Sequence, residues 1–518
     1  ELVLDWMNMS HSTVVINNPR LEVEHLTLGE GAVLGGVGTI TGNVTNNGGV
    51  LSPGMSPGTM EIVGNYTHNE GAVLASEVAE DGKYDQLRVL KDPAKPEETG
   101  NVTLNGGKLV VVVSGTNHHH KGEAKYFLIS AENALHVNTE PDVEVSVENP
   151  LYLKYEIQYS ERKVIFVLTG VTYEEIGSTD NQKQVGKDLD ELPAEHPLVK
   201  ALFSAETEEQ AQYWLDQLSG EVYTTYPVVV ISTADGFRRA VETGIVQPQE
   251  AKGRYAWVSY YSDGHVVHGD AEHSAYHYYT RGAAAGVDVV HGAKGRFGVA
   301  AGITLAGLRM GVQRDKVFAE GHQLGVYGEY LTDAVRVTAV AAYGKARYDT
   351  ERQISVGNGT ALFERTANSR YNGQQVLVAV RGEGNRSVEG ARVIDPILGV
   401  SWMTMSREAL EETGAHEANL ALERYESDVL RGELGLRLRF APVTTESGWH
   451  MERSLWASYV HEFTSPERAM RARFAGTGAG TDPMIVEGLS RSAGAVQVGW
   501  RVSGMHAGDR GIGWTLQY

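Results

Sequence analysis

The chain has 518 residues, with 60 Gly, 15 Pro and no Cys, and its 45 Lys and Arg against 66 Asp and Glu give a formal charge of −21. Without Cys there are no disulfides, thiolate zinc sites or thiol nucleophiles, and the acidic balance argues against a nucleic-acid groove, which needs a basic face. No stretch approaches the ~18 uninterrupted apolar residues of a membrane helix, although barrel strands, which alternate, escape that test.

The length suggests two to four structural units. The first residue is Glu1, with no basic or apolar leader pattern after it. Because residues 1–30 already read as the middle of a β structure, an N-terminal part is expected to be missing.

Residues 1–62 are rich in Gly and Asn and carry short alternating apolar runs. One pattern recurs: Gly42-Asn43-Val44-Thr45-Asn46-Asn47-Gly48, then Gly64-Asn65-Tyr66-Thr67-His68-Asn69-Glu70-Gly71, then Gly100-Asn101-Val102-Thr103-Leu104-Asn105-Gly106-Gly107. The first two copies lie 22 positions apart, within the ~20–29 residues of one solenoid turn. Val44, Val50, Tyr66 and Val73 are expected to point into a stacked core, with Asn and Gly at the corners. Residues 63–170 continue as strands.

Between 171 and 250 the period changes from 2 to 3.6. Val185, Leu189 and Leu192 share one helical face. Thr207-Glu208-Glu209-Gln210 reads as a capping box before Ala211, Trp214, Leu215 and Leu218. A last helix is expected from Tyr226 to Glu242, after Pro227, carrying Arg238 and Arg239. The acidic residues around Asp180, Asp188, Asp190 and Glu191 read as a solvated helix face.

Residues 251–518 return to strands, longer and with a different code. Leu430, Leu434, Leu436, Leu438 and Phe440 share one parity, and Arg431, Glu433, Arg437 and Arg439 the other. Phe297, Val299, Ala301, Ile303 and Leu305 likewise alternate with Arg296, Gly298, Ala300, Gly302 and Thr304. Tyr255, Trp257, Tyr330, Tyr343, Trp402 and Trp500 fall near span ends. Spans this long, with aromatic ends, point to a membrane barrel whose apolar side meets lipid and whose charged side lines a lumen. Arg431, Glu433, Arg437 and Arg439 are therefore expected to face the lumen.

Strand cores are expected at 255–262, 277–290, 295–309, 316–331, 333–350, 367–386, 391–407, 424–441, 449–463, 490–503 and 510–518. Short and long connections alternate, and barrels of this kind keep the short turns in the periplasm. The first strand then runs outward, so the helix before it must thread the lumen. Small residues on the inward parity of 295–309 leave room for it. Eleven spans put Tyr518 on the outer side, whereas single-chain barrels have even strand numbers. A closing strand is expected beyond Tyr518. Two rival readings are that Gly513, Trp514, Leu516 and Tyr518 form the C-terminal assembly signal, and that Glu467–Gly476 is a twelfth span. The fold class is thus mainly β: a parallel β-helical stem, a short helical linker with a pore helix, and a 12-stranded-type antiparallel transmembrane barrel, eleven strands of it present.

In this order the motifs resemble the classical (type V) autotransporters of Gram-negative bacteria. The 31–40 run with Leu51-Ser52-Pro53-Gly54-Met55-Ser56-Pro57-Gly58-Thr59 is similar to the end of a β-helical passenger, expected over 1–62. Gly64-Asn65-Tyr66-Thr67 and Tyr84-Asp85-Gln86-Leu87 are similar to the autochaperone junction, expected over 63–170. Leu215-Asp216-Gln217-Leu218-Ser219-Gly220-Glu221 resembles the segment before the pore helix, within a 171–250 linker. Ala256-Trp257-Val258 and Phe474-Ala475-Gly476 resemble the translocator barrel, over 251–518. The resemblance implies secretion and surface display of the chain's own passenger, driven by passenger folding. It also implies outer-membrane lipid, the barrel-assembly machinery and periplasmic chaperones as partners, and a monomeric barrel. A host or neighbouring-cell ligand would be met through the passenger, whose adhesin or enzyme part (protease or esterase) would lie upstream. Some members cut the passenger at an Asn-Asn pair in the linker. Residues 171–250 hold one asparagine, Asn181, which departs from that pattern.

Other chemistry is weaker. Gly54-Met55-Ser56-Pro57-Gly58 satisfies G-x-S-x-G, but a strand-like run follows where a nucleophile elbow needs a helix. His118, His119 and His120 are consecutive and would project alternately rather than converge on a metal. His265, His268, His273 and His277 crowd the first outer loop, where protonation near pH 6 would change its charge. No catalytic residue, cofactor, metal or nucleic-acid partner is expected within the chain.

Overall fold

The computed structural model describes the chain except residues 1, 55–56, 80, 115–121, 148, 246–254, 293, 312, 385–391, 465–467, 477–481, 490–492 and 507–512. Two compact units separate, one formed by Glu1–Ile176 with Leu192–Gln210 and the other by Gly177–Glu191 with Ala211–Tyr518.

The N-terminal unit is a parallel β-coil. Its strands stack in columns: Leu34, Leu51, Leu74 and Leu109 pair in succession, as do Met60, Leu87 and Ile129, and Val44, Tyr66, Val102 and Leu135. The Gly-Asn repeat sets this register, since Val44 pairs with Tyr66 and Tyr66 with Val102. Side-chain amides run along the corners. Asn69 donates to Asn47, Asn105 to Asn69 and Asn138 to Asn105, each at 2.7 Å. Each turn thus saturates the polar edge of the one before, while the buried Leu and Ile residues contribute roughly 1.5–3 kcal/mol each. Val44 and Tyr66 are buried as expected, but Val50 and Val73 are half-exposed and Leu51 and Leu74 take the interior. Asn46 turns inward to receive the Gly49 N–H, so the corner uses up one residue and shifts the parity of the strand after it. The pairing becomes antiparallel at the end of the coil, where Lys163–Gly170 lies between Glu123–Ala131 and Leu153–Tyr159. The pattern Leu51–Thr59 meets Asp85, whose carboxylate accepts the Gly58 and Glu77 N–H groups. Gly54 (φ 95°) passes so close to Asp85 that a Cβ would overlap its oxygen. Ser56, His118, His119 and His120 lie outside the described residues.

The C-terminal unit is built on eleven antiparallel strands paired in chain order: β1 Ala256–Val267, β2 Tyr276–Gly292, β3 Gly295–Met310, β4 Lys316–Leu331, β5 Val335–Val356, β6 Phe363–Gly384, β7 Arg392–Arg407, β8 Tyr425–Thr444, β9 Trp449–Thr464, β10 Gly494–His506 and β11 Gly513–Gln517. Each coincides with one expected from sequence, with ends differing by a few residues. The sheet curls so that one parity faces out: Leu434 and Leu436 are 62% and 57% exposed, whereas Arg437, the next residue, is 5% exposed. Three helices belong with this unit or enter it: α1 Asp180–Asp190, α2 Glu208–Ser219 and α3 Tyr226–Gly244. Thr179 and Gln182 form the capping box of α1; at α2, Thr207 caps the Gln210 N–H while the Gln210 side chain reaches Glu206 instead.

One element went unread in the sequence. Leu410–Glu411, Leu420–Leu422, Met470–Phe474 and Met484–Val486 form a separate four-stranded sheet at the mouth that carries the long connections. The stretch Glu467–Gly476 is therefore part of this cap and not a twelfth span, because Met470–Phe474 pairs only with other cap strands. Trp257 is the second correction. It is buried and faces inward, not out in an aromatic girdle, since Gly244 and Gly286 leave the space its ring fills.

Candidate functional site: the sheet lumen and its helix

Helix α3 lies inside the curl of the sheet. Pro227 in its first turn presets the starting backbone, and its residues are buried around most of the circumference, which fits a helix enclosed by protein. Aromatic rings meet glycines at the contact. Phe237 packs on Gly302 and Gly325, Tyr261 of β1 on Gly236 and Gly282, and Trp257 on Gly244 and Gly286. At Gly302 an added Cβ would fall 2.8 Å from the Phe237 ring. The small inward residues of β3 therefore make the seat that the sequence suggested for a helix. Phe237, Ala240, Val241, Trp257, Ala284, Ala300 and Tyr327 form its apolar core.

Charges fix the helix around this core. Arg238 pairs within α3 with Asp235 (3.4 Å) and Glu242 (2.7 Å), and Arg239 reaches Asp263 of β1 (2.7 Å). Arg431 is shared between Asp235 of α3 (2.7 Å) and Glu462 of β9 (3.1 Å). Glu433 takes Arg381 at 3.0 Å, Arg437 pairs with Glu383, and Arg439 with Asp395 at 2.7 Å. All four residues are on the inner parity, Arg431 bonded to the helix and Glu433, Arg437 and Arg439 to partners on neighbouring strands. Arg381 belongs to the same array, and Arg296, already on the inward parity in the sequence, makes a second inward cluster with Glu329 at 2.8 Å and Asp288 at 3.8 Å, partners that the sequence does not indicate. On the last strand, Trp514, Leu516 and Tyr518 are exposed on the outer side, Gly513 pairs with Met505, and Gln517 turns inward to accept from Arg501 at 2.9 Å.

The start of α3 is clamped at the mouth with the long connections. Tyr226 stacks among Tyr348, Tyr371 and Tyr425, with centroids 5.1, 6.4 and 5.7 Å away, and donates its hydroxyl to the Ser406 carbonyl. Gly220 (φ 73°) makes the left-handed turn after α2, with Leu420 of the cap against it. Just beyond, Tyr223 donates to Glu412, whose carboxylate binds Arg352 at 2.6 Å and the Leu420 N–H at 2.7 Å. Arg352 also donates to the carbonyls of Gln217 and Ala418. Both ions are fully buried. Asn181 exchanges hydrogen bonds with the backbone of Glu487. Burial, opposed by a hydrogen bond from Gln182, pushes the Asp216 carboxyl up to about 6. The same motif's Glu221 accepts the Ser274 N–H and Gln313. Nothing of the Arg352–Glu412 pair was legible in sequence, because its members are 60 positions apart and meet only through the cap. Of the loop histidines, His265 sits 3.0 Å from Asp263 and His273 3.0 Å from Asp270, each in a local pair.

A curled antiparallel sheet with an apolar outer band, a charged interior and a helix through it defines an outer-membrane translocator barrel. Residues 256–507 match the family model of the autotransporter beta-domain. Residues 256–507 thus form an autotransporter beta-domain, the translocator of type V secretion. An extracellular serine protease of Serratia marcescens is 21% identical over 91% of this chain and 48% of its own length. The chain thus spans about half the length of the curated relatives it matches. Among solved structures, the translocator domain of autotransporter NalP from Neisseria meningitidis covers 58% of this chain and 92% of its own at 10% identity and a TM-score of 0.43. The beta domain of the Bordetella autotransporter BrkA covers 52% and 92% at 16% identity and a TM-score of 0.35. The barrel is an outer-membrane domain, so its short turns face the periplasm and its capped mouth faces out.

Proposed function

We propose that this chain is the membrane-embedded arm of a surface-displayed protein, which exports its own N-terminal portion through the lumen that α3 then occupies. The helix, seated through Phe237 on Gly302 and Gly325, carries this reading, because it runs from the outer mouth at Tyr226 to Gly244, against Trp257 at the periplasmic start of β1. A chain that passes outward through a barrel leaves its C-terminal linker in the pore. In this reading residues 1–62 end the passenger, 63–170 form the junction that starts its folding, 171–250 are the linker and 251–518 the barrel. The barrel-assembly machinery, periplasmic chaperones and outer-membrane lipid are its partners.

The relatives' name, extracellular serine protease, favours a proteolytic passenger upstream of Glu1 over an adhesin. To test display, a protease is added to intact and to permeabilised cells expressing the chain. The N-terminal unit should be cut in intact cells while the barrel persists. Cleavage only after permeabilisation would overturn the reading.

A further inference from the structure

The outer face of the barrel is not a uniform apolar belt. Strand register places Ala285, Ala301, Leu324, Tyr343 and Val376 in one outward row across β2 to β6. The row on its periplasmic side is Val287, Val299, Val326, Ala341 and Val378. The small residues Ala285, Ala301 and Ala341 leave a shallow, open apolar groove of about 790 Å³ between the exposed Val299, Leu324, Val326 and Tyr343 side chains. The row immediately outside it holds His322 directly opposite Lys345. One row further, Arg281 opposes Leu305 on β3, beside Glu320, which Arg347 neutralises at 3.3 Å. Among the described residues no carboxylate pairs with Lys345 or Arg281, and Arg281 lies over the Tyr279 ring. All three cationic or titratable groups point out of the barrel and are exposed.

An acyl-chain groove capped on its extracellular side by unpaired cations fits a phosphorylated lipid lying in the outer leaflet. Arg281 and Lys345 are three strands and one row apart, about 16 Å at the usual strand spacing and rise. That separation suits a headgroup carrying a phosphate at either end of a disaccharide better than the single phosphate of a glycerophospholipid. We propose that this face binds one molecule of lipid A, its acyl chains in the groove and its two phosphates on Lys345 and Arg281, with His322 beside the first. The proposal rests on the outer-membrane orientation given above. An acidic chain of charge −21 would otherwise repel such a lipid, so a local cationic rim gives it a defined seat.

The full chain, purified in detergent, is incubated with bis-phosphorylated lipid A or with phosphatidylglycerol, and retained lipid is counted by native mass spectrometry. Wild type should retain one lipid A and little phosphatidylglycerol. The charge-reversed R281E/K345E variant should lose lipid A by about tenfold or more. A301F, which fills the groove on the lipid side, should lose it too. A heat-dependent gel shift of each variant reports an intact barrel independently; absence of that shift in wild type would count against the barrel itself. Equal retention by wild type and either variant, equal retention of both lipids, or no retention by wild type would each overturn the proposal.

Discussion

At the scale of single residues, two buried polar groups carry the clearest consequences. Arg352 and Glu412 are both fully buried, and their shared hydrogen bonds hold the start of α3 to the cap. Removing one partner leaves an uncompensated buried charge, so R352M should cost about 3–5 kcal/mol in urea unfolding of the purified barrel, whereas R352M/E412L should recover most of that. A loss under 1 kcal/mol for R352M would contradict the burial. In the N-terminal unit, His68 is buried beside the Tyr66 hydroxyl at 2.8 Å, and burial holds its pKa down at about 4. Its folded value lies below the unfolded ~6.5, so neutral His68 favours folding above pH 6.5, and that contribution fades as pH falls toward 4. The loss amounts to about 3 kcal/mol at most. Protection of the Tyr66–His68 amides against hydrogen exchange, after correction for the intrinsic pH dependence of exchange, should therefore fall as pH drops across that range in wild type and change less in H68L. Of these two groups the sequence signals only His68, through its place in the Gly-Asn repeat. The charged parity of β8 also named Arg431, Glu433, Arg437 and Arg439, but not their partners, since parity tells which side a residue faces and not what stands opposite.

At the scale of elements, alternation identified all eleven strands, because a sheet wet on one side and in lipid on the other forces a period of two over every span. The cap sheet stayed hidden for the same reason in reverse. Its strands have two to five residues, too short to show a period: Leu410 and Leu420 fall in a long connection, and Met470 and Phe474 lie in a stretch that reads as a possible further span and not as part of a cap. Trp257 shows where composition misled: an aromatic near a span end fits a girdle, but glycines on two neighbouring elements drew it inward. The seat of α3 gives a direct test at this scale. G302A places a methyl against Phe237 and the Ala283 carbonyl and should cost about 1–3 kcal/mol, and F237A in the same chain should relieve part of it. Strict additivity of the two substitutions would mean that they do not touch.

At the scale of the whole molecule, the glycine content has two separate origins. In the coil, glycines sit where corners need left-handed backbone, as at Gly54 and Gly106. In the barrel they are holes for Tyr261, Phe237 and Trp257. One feature of composition thus serves two architectures. The central claim is that the barrel is a pore filled by its own linker. Single-channel recording in planar bilayers tests it most directly. The full chain should conduct little, and a variant lacking residues 226–244 should conduct at least about tenfold more, because the lumen then holds water in place of a helix. Equal, large conductance in both would contradict the account.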